Sequence, residues 1–441
     1  MVKGPKGGLD IFKKRQKKLL EKIGDGVGVI FAHPEQIRNN DVHHKYRQDS
    51  TFYYLTGFSE PESVIVFDAS SPSPFTMFVR QKDATRELWD GFRYGIDGAA
   101  EYFGANKVYP IDDLVKILPE LLKNTSKVYY KLGEQKEHDE IIMTAIDHAR
   151  RSRGRSGLGQ PNIIDLKQIT GEMRLIKQPE EIELLRKACE ISAYGHIAAM
   201  RACKPGVNEY EIEAEVEHEF RRRGSDRLGY NSIVGSGPNA TVLHYVFNDD
   251  VCKREHLLLI DAGAEFGYFT GDITRTFPVG GTFSPAQKKF YDVVLKVQKD
   301  CIEFVKPGVK LADIHQRAIK GLIDGMLSLG LMKGSAKDIY EKKEYIKYYP
   351  HGTGHWLGMD VHDSGLYSID GEPRALEPGM CFTIEPGLYV PENDKDAPAE
   401  FRGMGVRIED DILVTSKGCE VLTKLAPKET HEIEAILGKS V

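Results

Sequence analysis

The amino-acid sequence predicts an α/β domain over residues 1–171 followed by an α+β domain over residues 172–441, the second built from two pseudo-twofold halves. Three observations carry this expectation. The length of 441 residues exceeds one typical domain. The first part alternates short apolar runs with helix-patterned stretches, the mark of α/β organisation. The remainder contains internal echoes: Lys204-Pro-Gly-Val207 returns as Lys306-Pro-Gly-Val309, and Leu259-Ile-Asp261-Ala-Gly263 returns as Thr383-Ile-Glu385-Pro-Gly387.

Taken in order, the chain opens on a basic segment with Lys3, Lys6, Lys13, Lys14, Arg15, Lys17, Lys18 and Lys22. It lacks the apolar core and small-residue cleavage site of an export signal, so it reads as the solvated face of a helix over Ile11–Ile23. Val27–Ala32, Ser63–Phe67 and Phe75–Val79 read as buried strands. Leu114–Leu122 and Ile141–Arg150 read as helices, with Pro119 weakening the first. Arg, Gly and Ser crowd residues 151–161, the composition of a surface loop, and the pattern changes across Lys167–Lys177. Pro179-Glu180-Glu181 opens a long helix, since proline suits a first turn and acids favour a helix N-terminus. Leu184, Ala188, Ile191 and Ala198 follow at helical spacing, and the boundary between the domains falls near residue 172. Each Lys-Pro-Gly-Val echo leads into a further helix, through Ile212 and through Ile314.

Composition narrows the function classes. Apolar residues make up 41% and charged residues 29%, as in a globular protein, and no run of 18 apolar residues suggests a membrane span. The net charge of −6 argues against a nucleic-acid partner. Cys189, Cys203, Cys252, Cys301, Cys381 and Cys419 are scattered and form no C-x-x-C pair. That argues for a reduced compartment, by default the cytoplasm, and against a disulfide framework or zinc-thiolate site.

The chemistry concentrates in the second domain. Apolar strands end in Asp261 and Glu385, and each is followed by a later segment carrying another acid, Gly271-Asp272-Ile-Thr274 and Arg407-Ile-Glu409-Asp410. Any one of these acids alone reads as a surface or salt-bridged residue. Four buried together would repel strongly, because a buried unpaired carboxylate costs several kcal/mol, and dications would offset that repulsion. If the turn over residues 262–271 joins antiparallel strands, Asp261 and Asp272 can face one another across the pair at roughly 5 Å, a reach suited to bridged metals. The histidines cluster too, in His351-Gly-Thr-Gly-His355-Trp-Leu-Gly and Asp360-Val-His362-Asp363. His355 completes an oxygen-rich donor set that suits Mn, Co or Zn. His351 and His362 are left for proton transfer or for holding a carbonyl, and His244 stands in Thr241-Val-Leu-His-Tyr245.

At this point a resemblance becomes close. Residues 172–441 resemble the pita-bread metallopeptidase family, which includes methionine aminopeptidase, prolidase and aminopeptidase P. The segments that carry it are Ile260-Asp261-Ala-Gly263, Gly271-Asp272-Ile-Thr-Arg-Thr276, His351-Gly-Thr-Gly-His355, Ile384-Glu385-Pro-Gly387 and Arg407-Ile-Glu409-Asp410. Tyr46-Arg-Gln-Asp-Ser-Thr-Phe-Tyr-Tyr54-Leu-Thr-Gly57, Pro61-Glu62-Ser63-Val64 and the segment around Trp89 are similar to the N-terminal domain of the aminopeptidase P branch. Thr51 departs from the family, which often has Asp or Asn there, and puts in doubt a polar contact toward the active site.

The resemblance implies a two-metal aminopeptidase, with Mn²⁺ favoured, acting on peptides with proline second and releasing the first residue. Asp261 would chelate one metal, His355 and Glu385 the other, and Asp272 and Glu409 would bridge both. A hydroxide between the metals would be the nucleophile and Glu385 the general base. His351 and His362 would stabilise the tetrahedral intermediate or shuttle protons, and His244 would contact the leaving-group side. Arg407 would orient the bridging acids, and Arg374 and Tyr389 would line the site. Trp89 would cap the pocket of a neighbouring subunit in a homo-oligomer, a dimer or tetramer. Rival readings are a prolidase restricted to Xaa-Pro dipeptides, a non-catalytic binding protein on the same fold, and a metal-free creatinase-like hydrolase.

Overall fold

The structure, a computed structural model, describes residues 8–154 and 159–439. Lys3, Lys6 and the middle of the loop expected over residues 151–161 lie outside the described residues. The chain divides into two compact units, residues 1–171 and 172–441.

In the first unit a mixed six-stranded sheet gathers the apolar runs. Its strands are β1 (Val27–Phe31), β2 (Val64–Asp68), β3 (Phe75–Val79), β4 (Lys107–Pro110), β5 (Lys127–Tyr129) and β6 (Asn162–Ile164), in the order β4-β3-β2-β1-β5-β6. β1, β2 and β3 pair antiparallel, whereas β4, β5 and β6 join parallel. The three runs read as strands are the central, fully buried ones. The three shorter strands, β4 and β6 at the edges and β5 beside β6, carry too few apolar residues to stand out. The basic N-terminal segment is a helix over Leu9–Ile23, with Phe12, Leu19 and Ile23 buried and its lysines outward. The helix expected from Ile141 begins at Lys136, behind a polar first turn, and runs to Ser152, so the expected loop starts later than residue 151. Pro119 is carried inside the helix Leu114–Leu121, on the side buried with Leu114 and Leu118.

The second unit is built from two matching halves. Helices Pro179–Ala202 and Glu209–Arg222 precede the strands of the first half, and helices Pro285–Phe304 and Leu311–Ser328 precede those of the second. The helix Pro179–Ala202 buries Leu185, Ala188, Cys189, Ile191, Ser192, His196 and Ala199, a broader face than the expected stripe, in which Leu184 and Ala198 are only half-buried. Entry to the second helix of each pair is made alike. Asn208 bridges Val251 and Lys310 bridges Ala375, both antiparallel. Gly206 N–H donates to Cys252 O and Gly308 N–H to Leu376 O, each at 2.9 Å.

The strand pairs match as well. β7 (Ile233–Ser236), β8 (Leu257–Asp261) and β9 (Thr274–Pro278) form an antiparallel sheet with β8 central. β10 (Cys381–Ile384) pairs antiparallel with β13 (Asp410–Val414), which pairs with β14 (Cys419–Val421). β11 (Gly387–Val390) and β12 (Met404–Arg407) form a separate antiparallel pair. Most of the apolar strand residues and helix faces merge into one large core for this unit, with a smaller cluster of Ile233, Leu259 and Tyr389 beside it. Strand ends are therefore fixed from both sides, and those ends carry the acids. No helix of the described residues is long and apolar enough to cross a membrane, and all six cysteines are free thiols.

Candidate metal centre

Asp261 is the last residue of β8, and Glu385 follows the last residue of β10. Asp272 and Glu409 lie just before β9 and β13. His355 is on an irregular segment laced to β10: Thr383 N–H donates to His355 O at 3.0 Å and Glu385 N–H to Thr353 O at 2.8 Å. A Cβ at Gly354 would come within 1.8 Å of Thr383 O, so this close approach demands glycine.

These residues converge. Asp272, His355 and Glu409 each turn one ligand atom to within 4.8 Å of the others. His355 Nε2 is 3.4 Å from Asp272 Oδ2 and 3.7 Å from Glu385 Oε1. The Tyr230 hydroxyl joins Asp261 to the group, lying 2.6 Å from its Oδ1 and hydrogen-bonded also to Asp272 Oδ1. All five expected donors line one cavity of about 450 Å³ with His244, His351, His362 and Arg407. The expected direct facing of Asp261 and Asp272 does not occur. The cross-strand partner of Asp261 is Thr274, and Asp272 precedes the regular pairing. The tyrosine spans the offset.

The surroundings brace the acids from the opposite half. Arg407 Nη2 donates to Asp261 Oδ2 at 2.7 Å, Nε to Thr274 Oγ1 at 3.1 Å and Nη1 to the Tyr389 hydroxyl at 3.0 Å. Thr274 Oγ1 in turn donates to Glu409 Oε2 at 2.6 Å. Arg407 thus braces Asp261 directly and Glu409 through a threonine, rather than contacting both expected bridging acids. Tyr389 does not line the cavity; its hydroxyl joins Arg407 to His351 Nε2, 2.8 Å away. The other nitrogen of His351 is 2.7 Å from Gly352 O, and the ring of His362 lies 4.3 Å edge-on to that of His355.

The electrostatics describe a site short of positive charge. Burial pushes the Glu409 carboxyl well above the usual carboxylate range, and the charges of Asp272, Glu385 and Asp261 add to it. Burial, then the charges of Asp272 and Asp261, raise Glu385 to about 7 against the pull of His355 and Arg407. Burial raises Asp261 too. Asp272 is the exception: burial acts upward, but the hydrogen bond and charge of His355 outweigh it and hold the carboxyl below its usual value. Burial would lower His355, yet its contacts with Asp272 and Glu385 raise it to about 9. His351 is pushed the other way, to about 3, by burial and the charge of Arg407, so it is neutral at pH 7.

These observations test the fit of a divalent cation. Without one, a proton on His355 is recruited as the counter-charge for Asp272 and Glu385. His355 Nδ1 faces Trp356 O at 3.2 Å, which fixes the tautomer that leaves Nε2 free to ligate. Four carboxylates, one imidazole and no thiolate make a donor set for hard or borderline dications. The residues fit the group.

Arg374 is not on the cavity; its Nη1 donates to Glu172 Oε2 at 2.6 Å. Trp89, at the end of the helix Ala84–Asp90, is 80% exposed and packs into no core. Thr51 lies in the first turn of the helix Ser50–Thr56. Sequence reasoning missed Tyr230, Thr274 and Thr383, and the apolar wall of Ile233, Leu243, Val246 and Val361. A lone tyrosine in Gly229-Tyr-Asn carries no spacing signal. Thr274 and Thr383, inside the strand motifs, could have been found by asking which donors reach acids at the ends of strands.

Comparisons with known proteins agree with this geometry. Residues 183–416 match the model of metallopeptidase family M24, and residues 12–129 match that of the aminopeptidase P N-terminal domain. The chain is 40% identical to the Xaa-Pro aminopeptidase of Escherichia coli over 97% of both proteins. It is 36% identical to Xaa-Pro aminopeptidase 3 of Homo sapiens over 94% of this chain and 82% of that protein. Among solved structures it is similar to the aminopeptidase PepP of Pseudomonas aeruginosa, with a TM-score of 0.94 and 42% identity over 99% of each chain. Zinc-substituted E. coli aminopeptidase P in complex with product gives a TM-score of 0.93 and 40% identity over 98% of each chain.

Proposed function

The chain belongs to metallopeptidase family M24, and we propose that it is a metal-dependent Xaa-Pro aminopeptidase, hydrolysing the bond between an N-terminal residue and a following proline. The observation that carries this reading is the convergence of Asp261, Asp272, His355, Glu385 and Glu409 on one cavity that also has an apolar wall. Residues 1–171 are the aminopeptidase P-type domain and residues 172–441 the catalytic domain of this proposal. Full-length likeness to Xaa-Pro aminopeptidases favours it over a prolidase, and retention of all five donors favours it over a binding protein or a metal-free hydrolase.

Asp261, Asp272, His355, Glu385 and Glu409 would hold two divalent ions, Mn²⁺ being the first choice, with Co and Zn also compatible with the donors. The chemistry that such ions supply is polarisation of the scissile carbonyl and a lowered pKa for water. Glu385, on the cavity wall beside His355, is placed to take and return a proton at Oε. Neutral His351, oriented by Tyr389 and Gly352, and His362 at the cavity wall would face the developing tetrahedral centre. His244 would contact the leaving-group side. Arg407 aims Asp261 and offsets part of the burial that raises its carboxyl. Proline leaves the scissile amide without an N–H, so recognition must come from packing the ring; Ile233, Leu243, Val246 and Val361 offer that surface. Trp89, exposed in its own chain, would serve the pocket of a neighbouring subunit in a homo-oligomer. Free thiols throughout support a reducing compartment, the cytoplasm.

The test is to strip the protein with chelator and supply an Xaa-Pro-Xaa tripeptide with and without Mn²⁺, Co²⁺ or Zn²⁺. Release of the first residue only with metal is the expected result. Cleavage of Xaa-Pro dipeptides alone would move the assignment to prolidase, and inactivity on both with metal bound would move it to a binding protein.

A further inference from the structure

The wall of the cavity that carries His244 is held in an unusual way. After β7 the chain makes a 3₁₀ turn, Gly237–Thr241, and then runs without regular structure to the bridge at Val251. Along it Val242, His244, Val246 and Phe247 face solvent, Phe247 being 77% exposed. Leu243, His244 and Val246 nevertheless line the cavity. Beyond Ala240, Leu243 and Tyr245, which pack with Ile233, Leu259 and Tyr389, the segment buries little apolar surface to fix its position.

Polar anchors fix it instead, and most meet at one side chain. Glu209, fully buried, accepts at Oε1 from Ser236 N–H at 2.6 Å and from Asn239 Nδ2 at 3.0 Å. At Oε2 it accepts from the Tyr245 hydroxyl at 2.8 Å and from Asp250 N–H at 3.0 Å. These donors come from just before the segment, from its middle and from its far end, and together they fill the acceptor capacity of a carboxylate. Asn248, also buried and in the left-handed region at φ +50°, adds an anchor: its Oδ1 accepts from Val234 N–H and its Nδ2 donates to Ser232 O, both at 2.9 Å. Tyr245, next to His244, is tied twice, since its hydroxyl also reaches Asp249 Oδ1 at 3.1 Å.

The cap of its own helix does not use this carboxylate. The helix Glu209–Arg222 is capped by its neighbours Asn208 and Glu211, with Asn208 N–H donating to Glu211 Oε2 at 2.7 Å. In the other half, where the same turn and bridge recur, the residue following Lys310 is Leu311. The acid stands only in the half whose outgoing segment walls the cavity, and it touches none of the five metal donors.

We propose that Glu209 is a positioning residue for substrate: it holds the segment between Gly237 and Val251 so that His244, Leu243 and Val246 meet the leaving-group side of the peptide. The proposal rests on the aminopeptidase reading for its kinetic consequence and on the hydrogen bonds alone for its structural one.

The test uses Glu209→Gln and Tyr245→Phe in the full chain, with His244→Ala alone and combined with each. Gln at 209 sets an amide N–H₂ against donors, and Phe at 245 removes the hydroxyl's ties to Glu209 and Asp249. Hydrogen exchange on the metal-stripped protein should show faster exchange over residues 237–251 in both variants, with residues 257–261 unchanged. On an Xaa-Pro-Xaa tripeptide with Mn²⁺, KM should rise about tenfold in Glu209→Gln while kcat and metal content hold. His244→Ala should cost much less in the Glu209→Gln background than in wild type, since both act through one contact. Additive effects of the two substitutions overturn the proposal, as does a His244→Ala protein as active as wild type. If Glu209→Gln fails to fold, Tyr245→Phe decides by the same readouts. A wild-type protein inactive on the tripeptide would be a failure of the aminopeptidase reading; the exchange data would still decide the bracing, and unchanged exchange over 237–251 in both variants would end it.

Discussion

Replacing Gly263 by alanine tests whether the spacing of the site is set by backbone contact. The Cβ of an alanine there would lie 1.8 Å from Gly271 O and 3.0 Å from a ring carbon of Tyr230. Real Cβ atoms stay beyond 3.0 Å, so the two backbones must part by at least about 1.2 Å. Neither is free to do so at no cost. Gly229 N–H donates to Gly263 O at 2.9 Å, Gly271 N–H to Ala264 O at 3.1 Å and Ala262 N–H to Ile273 O at 3.1 Å. The parting moves Asp261 away from Asp272, because these hydrogen bonds flank both acids. Metal sites tolerate ligand displacements of about 0.2 Å, so the shift exceeds the tolerance several-fold. The expected result is a loss of Mn²⁺ affinity on the order of 100-fold, with about 1–3 kcal/mol lost in stability from overpacking. Competition with a chromogenic chelator measures the first, and urea denaturation of the metal-free protein the second. Gly352→Ala is the control: Gly352 also lines the cavity, but a Cβ there meets nothing within 4 Å. If Gly263→Ala bound Mn²⁺ as tightly as Gly352→Ala, the claim that backbone contact spaces the acids would be refuted.

Three further outcomes are expected. Asp410 is fully buried and accepts from Arg275, Lys428, Gln298 and Thr423 at 2.6–2.8 Å; burial acts upward on its carboxyl, but the charges of Arg275 and Lys428 hold it well below the usual range. Arg275→Met should therefore cost about 3–5 kcal/mol in urea denaturation, and a cost under about 1 kcal/mol would contradict the network's importance. In the metal-free protein His355 is raised to about 9 whereas His351 is lowered to about 3 and opposes it only below the ordinary histidine range, so between about pH 7 and pH 9 the folded state binds more protons than the unfolded. Its stability must fall as pH rises through that window, and saturating Mn²⁺ should abolish the slope; thermal melts at several pH values check both. Trp89→Ala, at an 80% exposed position, should leave the stability of the chain within about 0.5 kcal/mol but shift gel-filtration elution and lower activity; unchanged elution and activity would remove Trp89 from the site.

Much of this was legible in sequence, for identifiable reasons. Strands β1, β2 and β3 stood out because both of their faces are buried, giving unbroken apolar runs. β4 and β6 did not, since their residues are half-buried or exposed at the sheet edges. The acids Asp261 and Glu385 were visible because a carboxylate closing an apolar strand contradicts its surroundings. Tyr230 was invisible because a tyrosine does not, and its function follows only from the offset between Asp261 and Asp272 that the register imposes. The ion pair of Arg374 with Glu172 was invisible because the two residues are far apart in sequence.

The pseudo-twofold halves are not two half-sites placed side by side, because each is completed by donors from the other. Arg407, at the end of β12, braces Asp261 of β8 at 2.7 Å. Thr274 of β9 accepts Glu409 N–H at its carbonyl at 3.1 Å and donates to the Glu409 carboxylate at 2.6 Å. Asp411 of β13 accepts Asp272 N–H at 2.9 Å, and Arg275 of β9 donates to Glu409 O at 2.6 Å. A cation bound between these acids is therefore bound to both halves at once and to neither in the unfolded chain. Mass action then stabilises them jointly, by about 2.7 kcal/mol at 100 times the dissociation constant. Titrating Mn²⁺ into stripped protein should raise the melting of both halves in one cooperative step. Exchange at β8 and at β13 should slow by the same factor; a metal that protected only one of these strands would show that the halves hold their ligands independently.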